Sequence, residues 1–463
     1  MNDAGRPPLV GDERLALATD LYELTMAAGY FRAGRNEEAA FELFVRNLPP
    51  RRSYLVVAGL AQAVHYLLNL RFTPAAVDYL RSQPAFRHAG DAFFDYLRDF
   101  SFSGDLDAMP EGTVAFENEP LLRVTAPIIE AQVVETYLLA AVSYPTLVAT
   151  KASRVVDAAR GRAVVDFGSR RAHGPGAGPI AARAAYIGGC VGTSNVLAGY
   201  EFGIPIFGTM AHSWVMSFES EDAAFRSYLE AFPDNTVLLL DTYDTLRAAR
   251  RAAKLGPGVR GVRLDSGDLA SLSRGVRRIL HAAGLAGTRI LASGDLNEWR
   301  IAELVRQGAP IDAFGVGTDL VTSRDSPALP AVYKLVEQRL GGRSIPRLKE
   351  SSGKETYPAC KQVFRVADAR GRWAHDIIGL AGEALPGEPL LVPVVRQGKL
   401  AGPLPSLAES RERAAESLAR LPRRFRRLRG PQAYPVAWSP GLRKLRAETL
   451  RALERKLLEG DAR

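Results

Sequence analysis

Aspartate and glycine recur together in this chain at the ends of short apolar runs: VRLDSGD (Val262–Asp268), ASGDLNE (Ala292–Glu298) and FGVGTDL (Phe314–Leu320). Glycine at such a point lets backbone amides approach phosphate oxygens, while aspartate suits ribose hydroxyls or a hydrated cation. A phosphorylated sugar is the ligand that this pairing fits. Two further groups of reactive types lie upstream. Arg170 and Arg171 follow the apolar run AVVDFG in a loop carrying Gly168, Gly174 and Gly176. A guanidinium there can fork onto a carboxylate or a phosphate. His212 follows PIFG within GTMAHS, and a neutral imidazole oriented by an acidic neighbour is a competent nucleophile toward a phosphoryl group. Each type also has a structural use. Arginine pairs solvate surfaces, a lone histidine is often packed, and Asp244 and Asp268 are placed to cap helices.

The elements that must position these residues alternate. Apolar runs ending in Gly and Asp read as buried parallel strands. The amphipathic stretches Leu269–Ala283 and Leu296–Gln307 follow two of them, and Val237–Asp241 precedes Thr242–Lys254 in the same style. Parallel strands require such crossovers, and the loops after their carboxyl ends gather on one face, where ligands bind. The rhythm begins at Ala163 with AVVDFG, continues through a helix over Ile180–Tyr186 and strands near Pro205–Phe207 and Val237–Leu240, and ends near Val316.

Outside that region the pattern changes. Ala16 to about Phe102 reads as mostly helical, with periodic stretches Leu60–Leu70 and Pro74–Arg81. Glu111–Ile129 alternates about a Pro-broken turn, which predicts an antiparallel pair. An apolar helix is expected from Ile129 to about Tyr144, stopping before Pro145. Arg339–Glu355, polar and Gly-rich, is expected to be a boundary or a mobile loop. The chain ends with a Pro-rich stretch, Leu385–Pro405, and basic helical patches at Leu407–Arg420 and Leu442–Leu458. The interleaved Leu and Phe425 of Leu421–Gly430 predict an amphipathic helix with a solvated basic face. These divisions suggest an amino-terminal α+β domain over 1–135, an α/β core over 136–345, and a carboxy-terminal segment over 346–463 packing on the first domain.

Composition narrows the class. A hydrophobic fraction of 47% and a charged fraction of 24% are ordinary for a soluble enzyme. No apolar run approaches the roughly 20 residues that span a bilayer, and the first residues lack the pattern of a secretory signal. Only two cysteines, Cys190 and Cys360, argue against a disulfide framework and fit a reducing cytoplasm. The net charge of +9 resides in Arg411–Arg463, with 15 basic and six acidic residues, and the remainder balances 45 against 45. A neutral body is not the profile of a nucleic-acid binder.

The motifs LATDLYELTMAAGYF (Leu17–Phe31), FELFVRNLP (Phe41–Pro49), DFGSRRAHGP (Asp166–Pro175), GTSN (Gly192–Asn195), GTMAHS (Gly208–Ser213) and VRLDSGD together resemble the nicotinate phosphoribosyltransferase family. ASGDLNE, FGVGT, VYKLVE (Val332–Glu337) and KETYPACKQVFR (Lys354–Arg365) follow in the expected order. The resemblance spans Leu17 to Arg365. It implies an irregular α/β barrel of the type II phosphoribosyltransferase kind, with an additional amino-terminal α+β domain and a helical carboxy-terminal segment. It also implies joining of nicotinate to C1 of phosphoribosyl pyrophosphate, coupled to ATP through a phosphohistidine, in a homodimer whose DLYELT segment serves the neighbour's active site. Neither nucleic acid nor membrane is an expected partner.

Carried residue by residue, the resemblance places the phosphohistidine at His212, with Tyr22 and Phe167 flanking the pyridine ring. Arg170 or Arg171 would meet the nicotinate carboxylate or the diphosphate; sequence does not say which. Ser194 stands where relatives that use nicotinamide have Asp, which favours the acid over the amide. Asp241 and Asp265 would hold ribose hydroxyls or waters on Mg²⁺, and Arg263 phosphate. Gly294, Gly317 and Thr318 would cradle the 5′-phosphate, with Asp295 bordering it. Lys334, Lys361 and Arg365 could form a basic rim for ATP or diphosphate. One departure is Pro358-Ala359-Cys360, where the family has Pro-Gly: should that loop need positive φ, Ala359 would cost roughly 1 kcal/mol. Cys360 reads as inert packing. The competing assignments are a quinolinate or nicotinamide phosphoribosyltransferase, and a catalytically silent phosphosugar-binding protein.

Overall fold

The computed structural model describes residues 11–351 and 353–461. The chain divides into two compact units, one formed by Met1–Thr146 with Ala328–Arg463 and the other by Leu147–Pro327. The first and last parts of the chain thus belong to one unit.

The discontinuous unit is built on an antiparallel seven-stranded sheet, ordered Arg343–Pro346, Ala331–Leu340, Glu38–Val45, Pro120–Pro127, Asp105–Ala108, Val392–Arg396, Lys399–Leu400. Glu38–Val45 lies inside a stretch read from sequence as helical. Seven of its eight residues are buried, so it lacks the one-sided alternation that marks a half-exposed strand. The expected pairing within Glu111–Ile129 is corrected: Val114–Ala115 pairs with Leu55–Val56, and Pro120–Pro127 pairs with Glu38–Val45 and Asp105–Ala108. Arg339–Glu355 likewise is not a structureless boundary, because Gly341 and Gly342, at φ 54° and 76°, turn Ala331–Leu340 into Arg343–Pro346.

The helix over Glu135–Ala159 runs through Pro145 instead of stopping before it. Proline frees the carbonyl four residues back, that of Ala141. Gly59 covers that carbonyl so closely that a Cβ there would lie 2.0 Å from the Ala141 oxygen.

The carboxy-terminal residues contribute more than helices. Lys361–Ala367 and Trp373–Leu380 form the centre of a four-stranded sheet, flanked by Glu388–Pro389 and Val436–Trp438. Leu407–Arg420 is helical as expected, begun by the Ser406–Glu409 capping box, and Pro440–Asp461 forms the last helix. Leu421–Gly430 is not an amphipathic helix. Only Arg423–Phe425 makes a single tight turn, with Phe425 buried.

The second unit carries six parallel strands: β1 (Ala163–Asp166), β2 (Gly192–Thr193), β3 (Val237–Leu239), β4 (Gly261–Leu264), β5 (Arg289–Ala292) and β6 (Ala313–Val316). Their order is β2-β1-β6-β5-β4-β3, and Ile206 adds an isolated bridge to Thr193, all that forms of the strand expected near Pro205–Phe207. Among the described residues the two outer strands do not pair with each other, so the sheet is the irregular, unclosed kind of barrel. Asx caps start the intervening helices: Asp244 accepts from the Arg247 amide, Asp268 from Ala270 and Ser271, and Asn297 from Arg300. Each satisfies donors that a helix leaves open at its start.

Candidate active site

Parallel register brings the carboxyl ends of the six strands to one edge, since Asp166 aligns with Thr193 and Val316, and Leu264 with Ala292. Directly after four strands, and two residues after the other two, stands a candidate from the sequence. Phe167 follows β1, Ser194 follows β2, Asp265 follows β4 and Gly317 follows β6, while Asp241 and Gly294 come two residues after β3 and β5.

Arg263 joins two of these ends to the loop after Ile206. Its Nε donates to Ser293 Oγ at 2.8 Å, one terminal nitrogen to Thr209 Oγ1 at 3.0 Å, and the other to Asp265 Oδ1 at 2.7 Å. Ser293 Oγ also donates to Asp265. Burial pushes the Asp265 carboxyl upward, but the Ser293 hydroxyl, the Arg263 guanidinium and the His212 side chain outweigh it and hold the group below its ordinary value. Asp265 is thus an anion held in place. Asp241 Oδ2 accepts from the Asp265 amide at 2.9 Å and from Ser266 Oγ at 2.6 Å. Its Oδ1 is buried with no hydrogen-bond partner among the described residues.

His212 begins the short helix His212–Met216, and its Nδ1 lies 3.1 Å from Thr242 Oγ1. The orienting neighbour is therefore a hydroxyl, whereas acidity in the vicinity comes from Asp265. Phe167 is half-buried, packed so tightly on Gly315 that a Cβ there would lie 2.4 Å from the ring. The Arg263 guanidinium lies 5.7 Å from the Phe167 centroid. Before Phe167, the buried Asp166 accepts from Gly168 N and from Thr193 Oγ1, and burial raises its carboxyl in spite of both bonds. Asn195 donates to Ser169 Oγ at 2.9 Å, fastening the β1 loop to the β2 loop. Arg170 and Arg171 stand exposed in the tight turn Ser169–Arg171 of that loop.

Gly294, at φ +84°, abuts the Asp265 carbonyl, and a Cβ would come within 1.8 Å of that oxygen. Asp295 follows at φ +44°, exposed. Gly317 and Thr318 begin the one-turn helix Thr318–Val321 against the Phe167 carbonyl. Ser293, Thr209, Thr242 and Ser266 were missed as site residues, although each lies in or beside a motif already singled out. A hydroxyl next to Asp or His within such a motif was the available signal.

Four expected residues lie in the discontinuous unit. Tyr22 belongs to the other unit, on the helix Leu21–Arg32, and is 46% exposed. Burial, then Glu135 and Glu23, push its phenol upward, so it remains a proton donor. Lys361 and Arg365 are not rim residues. Lys361 is buried against Glu42 Oε2 at 2.7 Å and donates to the Tyr357 and Ala359 carbonyls. Arg365 is buried on Asp376. Lys334, half-buried, aligns with Glu42 in the same sheet. Ala359 does adopt positive φ, 64°. Burial pushes the Cys360 thiol up to about 12, which keeps it protonated and unreactive.

Residues 17–143, 163–342 and 386–446 match the models of the nicotinate phosphoribosyltransferase N-terminal domain, family and C-terminal domain. A Mycobacterium tuberculosis nicotinate phosphoribosyltransferase, pncB2, is 48% identical over 432 residues, covering 92% of this chain and 91% of that protein. The chain belongs to the nicotinate phosphoribosyltransferase family. The Bacillus subtilis and human nicotinate phosphoribosyltransferases are 39% and 36% identical, over 94% and 93% of this chain and 96% and 95% of their own lengths. The crystal structure of the human nicotinic acid phosphoribosyltransferase superposes with a TM-score of 0.82 at 34% identity, covering 93% of this chain and 99% of that one. That of a nicotinate-nucleotide pyrophosphorylase from Pyrococcus furiosus gives 0.74 at 26% identity, covering 90% and 98%.

Proposed function

We propose that this chain transfers the phosphoribosyl group of phosphoribosyl pyrophosphate to nicotinate in the cytoplasm, forming nicotinate mononucleotide and pyrophosphate for NAD salvage, with ATP hydrolysis coupled through phosphorylation of His212. The observation that carries this reading is the bonded set Arg263–Ser293–Asp265–Asp241, which spans three neighbouring strand ends of a family member's parallel sheet. Transfer at C1 passes through an oxocarbenium-like state, so the protein must hold an anion-rich sugar rigidly and screen departing diphosphate. Arg263 serves phosphate, Phe167 supports the pyridine ring, and Arg170 or Arg171 meets the carboxylate. Ser194 leaves that carboxylate unopposed, as an aspartate there would not. Gly294, Gly317 and Thr318 present amides and a hydroxyl to the 5′-phosphate, bordered by Asp295.

The orphan Asp241 Oδ1 beside an ionised Asp265 suits Mg²⁺, which prefers few carboxylates and keeps its waters. No group of three or more His, Cys, Asp or Glu forms a closed cage among the described residues. When bound, the ion would neutralise charge on the diphosphate, and Asp241 and Asp265 would hold it. Phosphorylating His212 would add negative charge close to that site, altering how pyrophosphate and substrate are retained. A homodimer in which Leu21–Arg32 serves the partner subunit is part of this reading, supported by the exposed Leu21, Tyr22 and Met26.

The test incubates purified protein with phosphoribosyl pyrophosphate, Mg²⁺ and nicotinate, nicotinamide or quinolinate, following product mass and ATP consumption. Nicotinate mononucleotide with ATP turnover is expected. His212→Ala should abolish ATP stimulation and leave slow ATP-independent transfer. No turnover with nicotinate would overturn the assignment, and unchanged coupling in His212→Ala would remove the phosphohistidine.

A further inference from the structure

Beneath the strand-end loops lies a buried ionic cluster that the reaction itself does not use. Lys151 and Arg154, one turn apart on Glu135–Ala159, are 0% and 1% exposed. Lys151 Nζ lies 2.6 Å from Glu298 Oε2, 2.8 Å from Asp325 Oδ1 and 3.8 Å from Asp319 Oδ1, and 4.8 Å from the Trp299 ring centroid. Arg154 Nε takes the other Glu298 oxygen at 3.1 Å. Glu298 is the first residue of the helix after the Gly294–Asn297 loop, and Asp319 immediately follows Thr318. One ammonium thus faces a carboxylate from the helix that follows the Gly294 loop and one from the turn that carries Thr318.

A fully buried ammonium does not reach that phosphate, and a buried ion cluster is a weak source of stability. What this one fixes is distance. Thr318–Val321 is a single turn, too short to hold its own geometry, and amides that grip an anion work only when held in place beforehand. We propose that Lys151 is a positioning residue for phosphoribosyl pyrophosphate: it sets the separation of the Gly294 and Gly317–Thr318 loops, so that both meet one phosphate. The inference rests on the assignment of those loops to the 5′-phosphate.

The experiment compares Lys151→Met, Lys151→Arg, Asp325→Asn and Thr318→Ala. It measures KM for phosphoribosyl pyrophosphate and for nicotinate, kcat, and calorimetric binding of ribose 5-phosphate. Displacing a cradle by about an ångström weakens it by up to about a hundredfold. Asp325→Asn and Lys151→Met should therefore raise the phosphoribosyl pyrophosphate KM and the ribose 5-phosphate Kd at least about tenfold, with nicotinate KM within about twofold. Lys151→Arg, which keeps the charge, should recover part of the loss. Should Lys151→Met fail to fold, Asp325→Asn decides. A folded Asp325→Asn with unchanged phosphoribosyl pyrophosphate KM overturns the inference while Thr318→Ala still weakens ribose 5-phosphate. Unchanged binding in Thr318→Ala instead removes the cradle assignment, and this inference with it.

Discussion

Asp241 holds the Asp265 backbone: its Oδ2 accepts the Asp265 amide at 2.9 Å, and its Oδ1 is left buried without a hydrogen-bond partner among the described residues. An unpartnered buried carboxylate oxygen is expensive, about 1–3 kcal/mol or more when charged. A cation or ribose hydroxyl would relieve it. Asp241→Asn keeps an acceptor for the amide and removes the charge. The Mg²⁺ concentration for half-maximal transfer should rise about tenfold or more, with thermal stability unchanged or higher. An unaltered Mg²⁺ titration would exclude this carboxylate from the ion.

Gly294 is constrained from two directions, by φ +84° and by the Asp265 carbonyl 1.8 Å from a built Cβ. Gly294→Ala must therefore move either its own loop or Asp265. Rare backbone geometry of this kind stores roughly 1–3 kcal/mol. We expect kcat/KM for phosphoribosyl pyrophosphate to fall at least about tenfold, the equivalent of 1.4 kcal/mol. Gly308→Ala, at φ +65° with open space around it, is the control for strain alone. Equal losses in both would rule out the contact with Asp265 as the cause.

Lys361 and Ala359 separate a structural role from an ATP-binding one. Lys361→Met leaves Glu42 charged and buried, a change of about 3–5 kcal/mol. It should lower the melting temperature sharply, with KM for ATP unchanged in whatever protein remains folded. Ala359→Gly relieves the φ of 64° and should stabilise by about 1 kcal/mol. A higher KM for ATP in a stable Lys361→Met enzyme would restore the rim that the burial of this residue contradicts.

Glu119 predicts an uncommon pH dependence. Burial, then the neighbouring Asp376 charge, push its carboxyl well above the ordinary value, against the opposing Arg365 guanidinium. A carboxyl raised on folding binds its proton more tightly in the folded state. Its contribution is present below the unfolded value and fades as pH rises from there through the folded one. Glu119→Gln should flatten this fall, with a melting temperature about 2 °C or more above wild type at the alkaline end. Parallel melting profiles from pH 5 to 9 would show that Glu119 is not the source.

The sequence by itself settled the parallel βα region, because Gly-Asp punctuation, Asx caps and alternating apolar and amphipathic runs are local signals. Asp244 and Asp268 cap their helices. The helices expected over Ile180–Tyr186, Thr242–Lys254, Leu269–Ala283 and Leu296–Gln307 form within a few residues of those bounds, whereas Val196–Phe202, His212–Met216 and Glu221–Ala231 were not expected from the rhythm. The family's motifs added its chemistry, and positive φ at Ala359 was foreseeable from a missing glycine. What depended on distant partners was not legible. Glu38–Val45 is a central strand only because strands from residues 120 and 331 onward pair with its two edges. Pro145 stays inside a helix, and the carbonyl it frees abuts Gly59, a residue 86 positions before the proline in sequence. Lys361 and Arg365 read as cations for a ligand until the fold supplied Glu42 and Asp376. A charged residue's role is set by what surrounds it, and burial and pairing are properties of the folded chain.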